Sequence, residues 1–201
     1  MGMTLDQGFY AGDDVVRIGR ALLGKVLCSN IGEEVARVVI TETEAYAGID
    51  DKASHAYGDK RTKRTEVMYA QGGRAYVYLC YGIHHLFNVV TNTKGVPHAV
   101  LIRAGSPLEG IPQMLARRGK KKMDKSFLAG PGSLSKALGI TTTLSGTSLQ
   151  GNKVWIEDHG LDVTEQSIQA SPRIGIDYAG EDAVRPFRFV LDASTLVFFR
   201  A

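Results

Sequence analysis

Apolar positions along the chain switch between two spacings. Val15, Ile18, Leu22 and Leu23 recur at helical spacing behind Asp13 and Asp14, which can cap a helix start, and before Gly24, which stops it. Lys25–Asn30 and Ala36–Tyr46 are rich in Val, Ile and Thr and predict strands. Asp50–Tyr57 is polar, with room for one short helix, and Thr65–Gln71 predicts a second that Gly72-Gly73 ends. Ala75–Tyr81 predicts a strand, Gly82-Ile83-His84 a turn, His85–Thr91 a strand, Asn92–Gly95 a turn and His98–Ala104 a strand. Three strands so closely joined form an antiparallel meander. Pro107–Gly119 reads as helical toward its later end, Lys120-Lys121-Lys122 as a loop, and Gly130-Pro131-Gly132-Ser133 as the entry to a helix ending near Gly139. Val154–Glu157, Phe189–Leu191 and Thr195–Arg200 read as short closing strands. Strands and helices mix without a βαβ rhythm, so the expected class is α+β.

The length, 201 residues, suits one compact domain over 1–201, and 44% hydrophobic residues suffice for a sizeable core. No apolar run reaches eighteen residues, so no membrane partner is expected, and the first residues do not read as a signal peptide. Cys28 and Cys80 lie in apolar stretches and read as buried thiols of a cytoplasmic protein. Net charge is only +3, yet Lys60–Lys125 carries 13 Lys/Arg against 3 Asp/Glu, whereas the rest carries 11 against 18. Such asymmetry suggests a polyanion partner, although a solvated basic face fits equally well.

Alternation along the strand puts Val38, Ile40, Glu42, Glu44 and Tyr46 on one face, running from core through two carboxylates to an aromatic. A carboxylate where core gives way to a cleft suits a general base, while ion pairing with basic neighbours is the plainer alternative. Tyr76 and Tyr78 share a face, and Tyr81 stands beside Gly82 at a hairpin tip, where it could wedge between bases or be an ordinary turn residue. None of His55, His84, His85, His98 or His159 makes a metal-ligand spacing, and Cys28 and Cys80 form no CxxC pair, so neither a metal nor a cofactor is expected. The loop at Gly130 and Gly132 offers free amides to a phosphate, a weak signal alone.

In order, Glu42-Thr43-Glu44-Ala45-Tyr46, His55, Tyr76–Gly82, Asn88, Leu101-Ile102-Arg103-Ala104, Pro107-Leu108-Glu109-Gly110, Gly130-Pro131-Gly132, Pro172–Ile176 and Arg185–Phe189 resemble the alkyladenine (3-methyladenine) DNA glycosylases, over most of the chain. The resemblance implies a curved antiparallel sheet with flanking helices and a protruding hairpin. It implies a bacterial enzyme, acting as a monomer in the cytoplasm at the nucleoid, that flips a damaged purine out of double-stranded DNA. It implies that Glu44 deprotonates the attacking water and that Arg103 helps hold that water and the neighbouring phosphate. Tyr46, His55, Tyr78 and Asn88 would line the base pocket, and Tyr81 would fill the gap left in the duplex. Gly82, Arg61, Arg64, Gly130 and Gly132 would contact the DNA. His98 receives no role. A binder of damaged DNA without catalysis, a hydrolase of free nucleosides and an RNA-binding module are the competing readings.

Overall fold

The computed structural model describes residues 2–192; the strand expected at Thr195–Arg200 lies outside them. Among the described residues nine strands form one sheet in which every pair is antiparallel. They are β1 (Met3–Thr4), β2 (Val26–Ile31), β3 (Glu34–Tyr46), β4 (Arg74–Cys80), β5 (His84–Thr91), β6 (His98–Glu109), β7 (Val154–Asp158), β8 (Ile168–Ser171) and β9 (Arg188–Leu191). The order is β1-β7-β2-β3-β6-β5-β4, and the β8–β9 hairpin joins along β3. The expected meander is therefore β4-β5-β6. Among the described residues four α-helices flank the sheet: α1 (Gln7–Tyr10), α2 (Val15–Ala21), α3 (Ile111–Arg118) and α4 (Pro131–Leu138).

The long strand β3 carries the architecture. Its first half pairs with β2, and beyond Ile40 its partner on that side becomes β9, through Glu42–Val190, Thr43–Phe189 and Glu44–Arg188. At this exchange the ladder with β6 slips twice, leaving Thr41 and Arg103 as extra residues. Bulges bend a strand and re-aim side chains, so the alternation expected to run unbroken from Val38 to Tyr46 is interrupted at Thr41, between Ile40 and Glu42. On the core side Leu27, Val38, Ile40 and Ile156 are fully buried. Each contributes about 1.5–3 kcal/mol, which holds rigid a sheet whose other end carries charge.

Asp14 caps α2, its carboxylate accepting from the Arg17 amide at 3.0 Å, and the Thr43 hydroxyl donates to the Gly19 carbonyl at 2.8 Å. Any Cβ on Gly19 would sit 3.3 Å from Phe189, so the helix lies close against the site-bearing half of β3. Two boundaries differ from expectation. The strand expected to end at Ala104 continues as β6 to Glu109, because β3 still offers pairing partners there, and the helix expected in the later part of Pro107–Gly119 is α3, from Ile111. Asp50–Tyr57 holds no single helix; short 3-10 turns at Gly48–Asp50 and Tyr57–Asp59 flank it, and another occupies Glu66–Tyr69.

Candidate active site

Past its bulge, β3 places Glu44 directly behind Tyr46, Arg103 and Ile174, three of the residues that line a cavity of about 620 Å³. The carboxylate is fully buried and its donors all come from inside the protein. The Ile174 amide donates to Oε1 at 2.8 Å, while the Tyr46 hydroxyl at 2.8 Å and Arg103 Nη1 at 3.3 Å donate to Oε2. Arg103, re-aimed by the β6 bulge, also donates through Nε to Glu42 Oε1 at 2.9 Å, and Arg188 Nε reaches the same oxygen at 2.6 Å. Two guanidinium groups and two carboxylates thus alternate across three strands. Burial, together with the adjacent Glu44, pushes the Tyr46 phenol well above its ordinary range, so it stays a donor.

Aromatic side chains wall the cavity. Tyr46 comes from β3 and Tyr78 from β4, with His55 edge-on to Tyr78 at 4.6 Å between ring centres. His55 Nδ1 lies 2.8 Å from the Tyr76 hydroxyl and Nε2 lies 2.9 Å from Arg64 Nη2. Burial first, then the charges of Arg64 and Lys60, lower the His55 pKa from about 6.5 to about 4. The Arg64 guanidinium also lies 4.7 Å from the centre of the Tyr78 ring. Asn88, buried on β5, spends its amide nitrogen on the carbonyls of Tyr76 (3.1 Å) and Leu86 (3.3 Å), which leaves its side-chain oxygen for a ligand.

The rim is apolar and strained. The β4–β5 turn is closed by Ile83 N–H donating to the Cys80 carbonyl at 3.1 Å, with Tyr81 at φ 50° and Gly82 at φ 72°. Two successive positive φ values are the hairpin geometry that suits Gly, and Tyr81 adopts it at a cost of about 1–2 kcal/mol. The turn is centred one residue before the expected Gly82-Ile83-His84, so Tyr81 occupies its apex, 92% exposed. Tyr178 stands on another part of the rim, 71% exposed. Gly130 and Gly132, at the start of α4, line the cavity as well. A Cβ on Gly132 would lie 2.9 Å from the His84 ring, so this glycine lets the hairpin dock on α4.

Of the residues singled out from sequence, Tyr46, His55, Arg64, Tyr78, Tyr81, Asn88, Arg103, Gly130 and Gly132 line this one cavity, and Glu44 is bonded behind its wall to Tyr46 and Arg103. Gly82 forms its hairpin rim. Arg61 stays apart, its guanidinium 4.0 Å above the Tyr69 ring and 3.6 Å from Asp59. His98 is bonded to Asn92 at 3.1 Å, away from the cavity. Sequence reasoning missed the Ile174 amide, Arg188, and the buried pair Arg173–Asp51. The run Pro172–Ile176 hinted at the first and third, but a main-chain donor carries no side-chain signature. Among the described residues no cluster of three His, Cys, Asp or Glu could hold a metal, and no helix is long and apolar enough to cross a membrane.

Comparison with known proteins gives the family. Residues 8–195 match the family described as methylpurine-DNA glycosylase. A protein of Desulfitobacterium hafniense is 44% identical, covering 96% of this chain and 97% of its own. A protein of Bacillus cytotoxicus is 46% identical, covering 90% and 92%, and one of Chlamydia felis is 43% identical, covering 94% and 96%. All three are named "Putative 3-methyladenine DNA glycosylase". The chain belongs to the methylpurine-DNA glycosylase family.

Proposed function

We propose that this glycosylase excises alkylated or deaminated purines, of the 3-methyladenine, 7-methylguanine, hypoxanthine and ethenoadenine class, from double-stranded DNA. It leaves an abasic site and an intact strand, acts as a monomer and works in the cytoplasm at the nucleoid, all within one domain spanning 1–201. The observation that carries the reading is the buried Glu44 carboxylate beneath an aromatic cage, with three donors fixing its orientation.

A carboxylate has about four acceptor positions. Ile174, Tyr46 and Arg103 take three, and the attacking water takes the fourth, on Oε1. Glu44 orients that water, accepts its proton, and stabilises the oxocarbenium-like sugar as the base departs. N-alkylated purines leave as neutral bases, so no second carboxyl is needed as acid; Glu42 is engaged by Arg103 and Arg188 instead. The base stacks between Tyr46 and Tyr78, where a cationic ring gains cation–π attraction. His55 supplies a hydrogen bond to the base edge, and Asn88 limits the room for an exocyclic amino group.

Extruding a nucleotide costs a few kcal/mol. Insertion of Tyr81 into the stack offsets this, while Arg61, Arg64 and the amides at Gly130 and Gly132 hold phosphates. The direct test is base release from a duplex carrying one hypoxanthine and from methylated DNA. The parent should yield free base and abasic product with strands intact, and Glu44→Gln should bind the duplex without releasing base. Failure of the parent on both substrates would overturn the reading.

A further inference from the structure

We propose that Arg173, held by Asp51, is a positioning residue for the reaction, setting two of the three donors on Glu44: the Ile174 amide and the Tyr46 hydroxyl. This rests on the reading of Glu44 as the carboxylate that activates water. The Arg173 and Asp51 side chains are both fully buried and joined by two parallel bonds, Nη1 to Oδ2 at 2.5 Å and Nη2 to Oδ1 at 2.8 Å. Nothing about fold stability requires such a pair, since apolar replacements of buried ion pairs are often neutral or stabilising. What the pair does provide is geometry.

Tyr46 lies between the two residues it grips. Arg173 Nη1 donates to the Ala45 carbonyl at 2.8 Å, and Asp51 Oδ2 accepts from the Ala47 amide at 3.0 Å. The guanidinium carbon also sits 4.7 Å from the centre of the Tyr46 ring, so ring and backbone are held together. Asp51 Oδ1 accepts from the Ala53 amide at 3.0 Å, which pins the far side of the same loop. Arg173 Nη2 donates to the Asp182 carbonyl at 3.2 Å, tying down the segment after Ile174. Ile174 is the next residue after Arg173, so anchoring the guanidinium aims the amide that meets Glu44 Oε1 at 2.8 Å. One buried fork therefore aligns donors on both oxygens of the carboxylate.

The tests are Asp51→Asn and Arg173→Lys, the second keeping the charge while losing the fork. Single-turnover base release is measured with saturating protein, affinity with a duplex carrying an abasic-site analogue, and folding by denaturant unfolding. Positioning predicts release slowed by about 10–100-fold with affinity changed by less than about threefold, the pattern of an interaction felt in the transition state. In a Tyr46→Phe background the same substitutions should slow release by clearly less, because part of what they disturb is already gone. Full additivity with Tyr46→Phe, or unchanged release from folded variants, would overturn the proposal. The Ile174 amide resonance in the free protein provides a readout independent of turnover: it should move in both variants. If the parent itself releases no base, the glycosylase reading fails, whereas an unmoved Ile174 amide sinks the positioning role whatever the activity.

Discussion

Arg64 Nη2 lies 2.9 Å from His55 Nε2, on the ring whose Nδ1 meets the Tyr76 hydroxyl at 2.8 Å. The same Arg64 nitrogen lies 3.4 Å from Nδ1, so the guanidinium approaches the ring as a whole and disfavours a second positive charge there. His55 is thereby a neutral ring in the free protein, consistent with a pKa lowered to about 4 by burial and by Arg64 and Lys60.

A pH dependence of stability follows. The folded pKa of about 4 lies below the ordinary value of 6.5. Between these values the unfolded chain binds the proton that the folded one refuses, so stability is complete above about pH 6.5 and declines as pH falls toward 4. The loss is about 3 kcal/mol at the acid end. Urea unfolding of the parent and His55→Gln at pH 7 and 4.5 should show a larger fall for the parent; equal falls would contradict a neutral His55.

Replacing Arg64 separates two roles of one guanidinium. Arg64→Met removes a positive charge from beside the ring, so the His55 pKa should rise by up to about one unit, read by imidazole nitrogen resonances. If Arg64 also grips a phosphate, the same variant should reduce the salt dependence of duplex binding by about one ion. A lower pKa in the variant would be incompatible with the Arg64–His55 contact.

Much of this site was legible because its parts lie in short contiguous stretches with strong local signals. Glu44 and Tyr46 sit on a strand whose Val and Ile content announces it, and Tyr76, Tyr78, Tyr81 and Gly82 sit on a hairpin marked by alternation and a glycine. The failures have a common physical origin in distant pairing. The strand that the local pattern ends at Ala104 runs on through Pro107 to Glu109, because β3 pairs with it. The Thr41 and Arg103 bulges depend on where β3 exchanges β2 for β9, more than a hundred residues away in sequence. Asp51 and Arg173, separated by 122 positions, are ordinary surface residues by composition until the fold buries them together. Besides the amide that Gly132 offers, its close approach to the His84 ring is a constraint only the fold reveals.

Strain at the hairpin apex predicts opposite effects on stability and binding. Tyr81 holds φ 50° while 92% exposed, so its side chain contributes little packing to offset the unfavourable backbone. Tyr81→Gly relieves about 1 kcal/mol of that strain, against the greater entropy a glycine loses on folding. Thermal unfolding should therefore be nearly unchanged or slightly later. Lesion binding and single-turnover release should both fall by at least about tenfold if the ring supports the flipped state. Unaltered release with Tyr81→Gly would remove Tyr81 from the DNA-handling role.

The contact between His84 and Gly132 predicts a rescue. An added methyl at residue 132 would meet the His84 Cγ and Nδ1 at 2.9 Å, nearer than nonbonded carbon and nitrogen tolerate. Gly132→Ala must therefore push the hairpin away from α4, at about 1–3 kcal/mol of overpacking. It carries Tyr81 outward with it, because His84 opens β5 just three residues past the apex. Duplex binding should weaken in Gly132→Ala and recover in Gly132→Ala/His84→Ala, since removing the ring restores the space. Loss of amides to a phosphate cannot explain such recovery, because alanine keeps its N–H. A double variant as weak as the single one would instead mean that Gly132 acts through its own backbone contact with DNA and not through the hairpin.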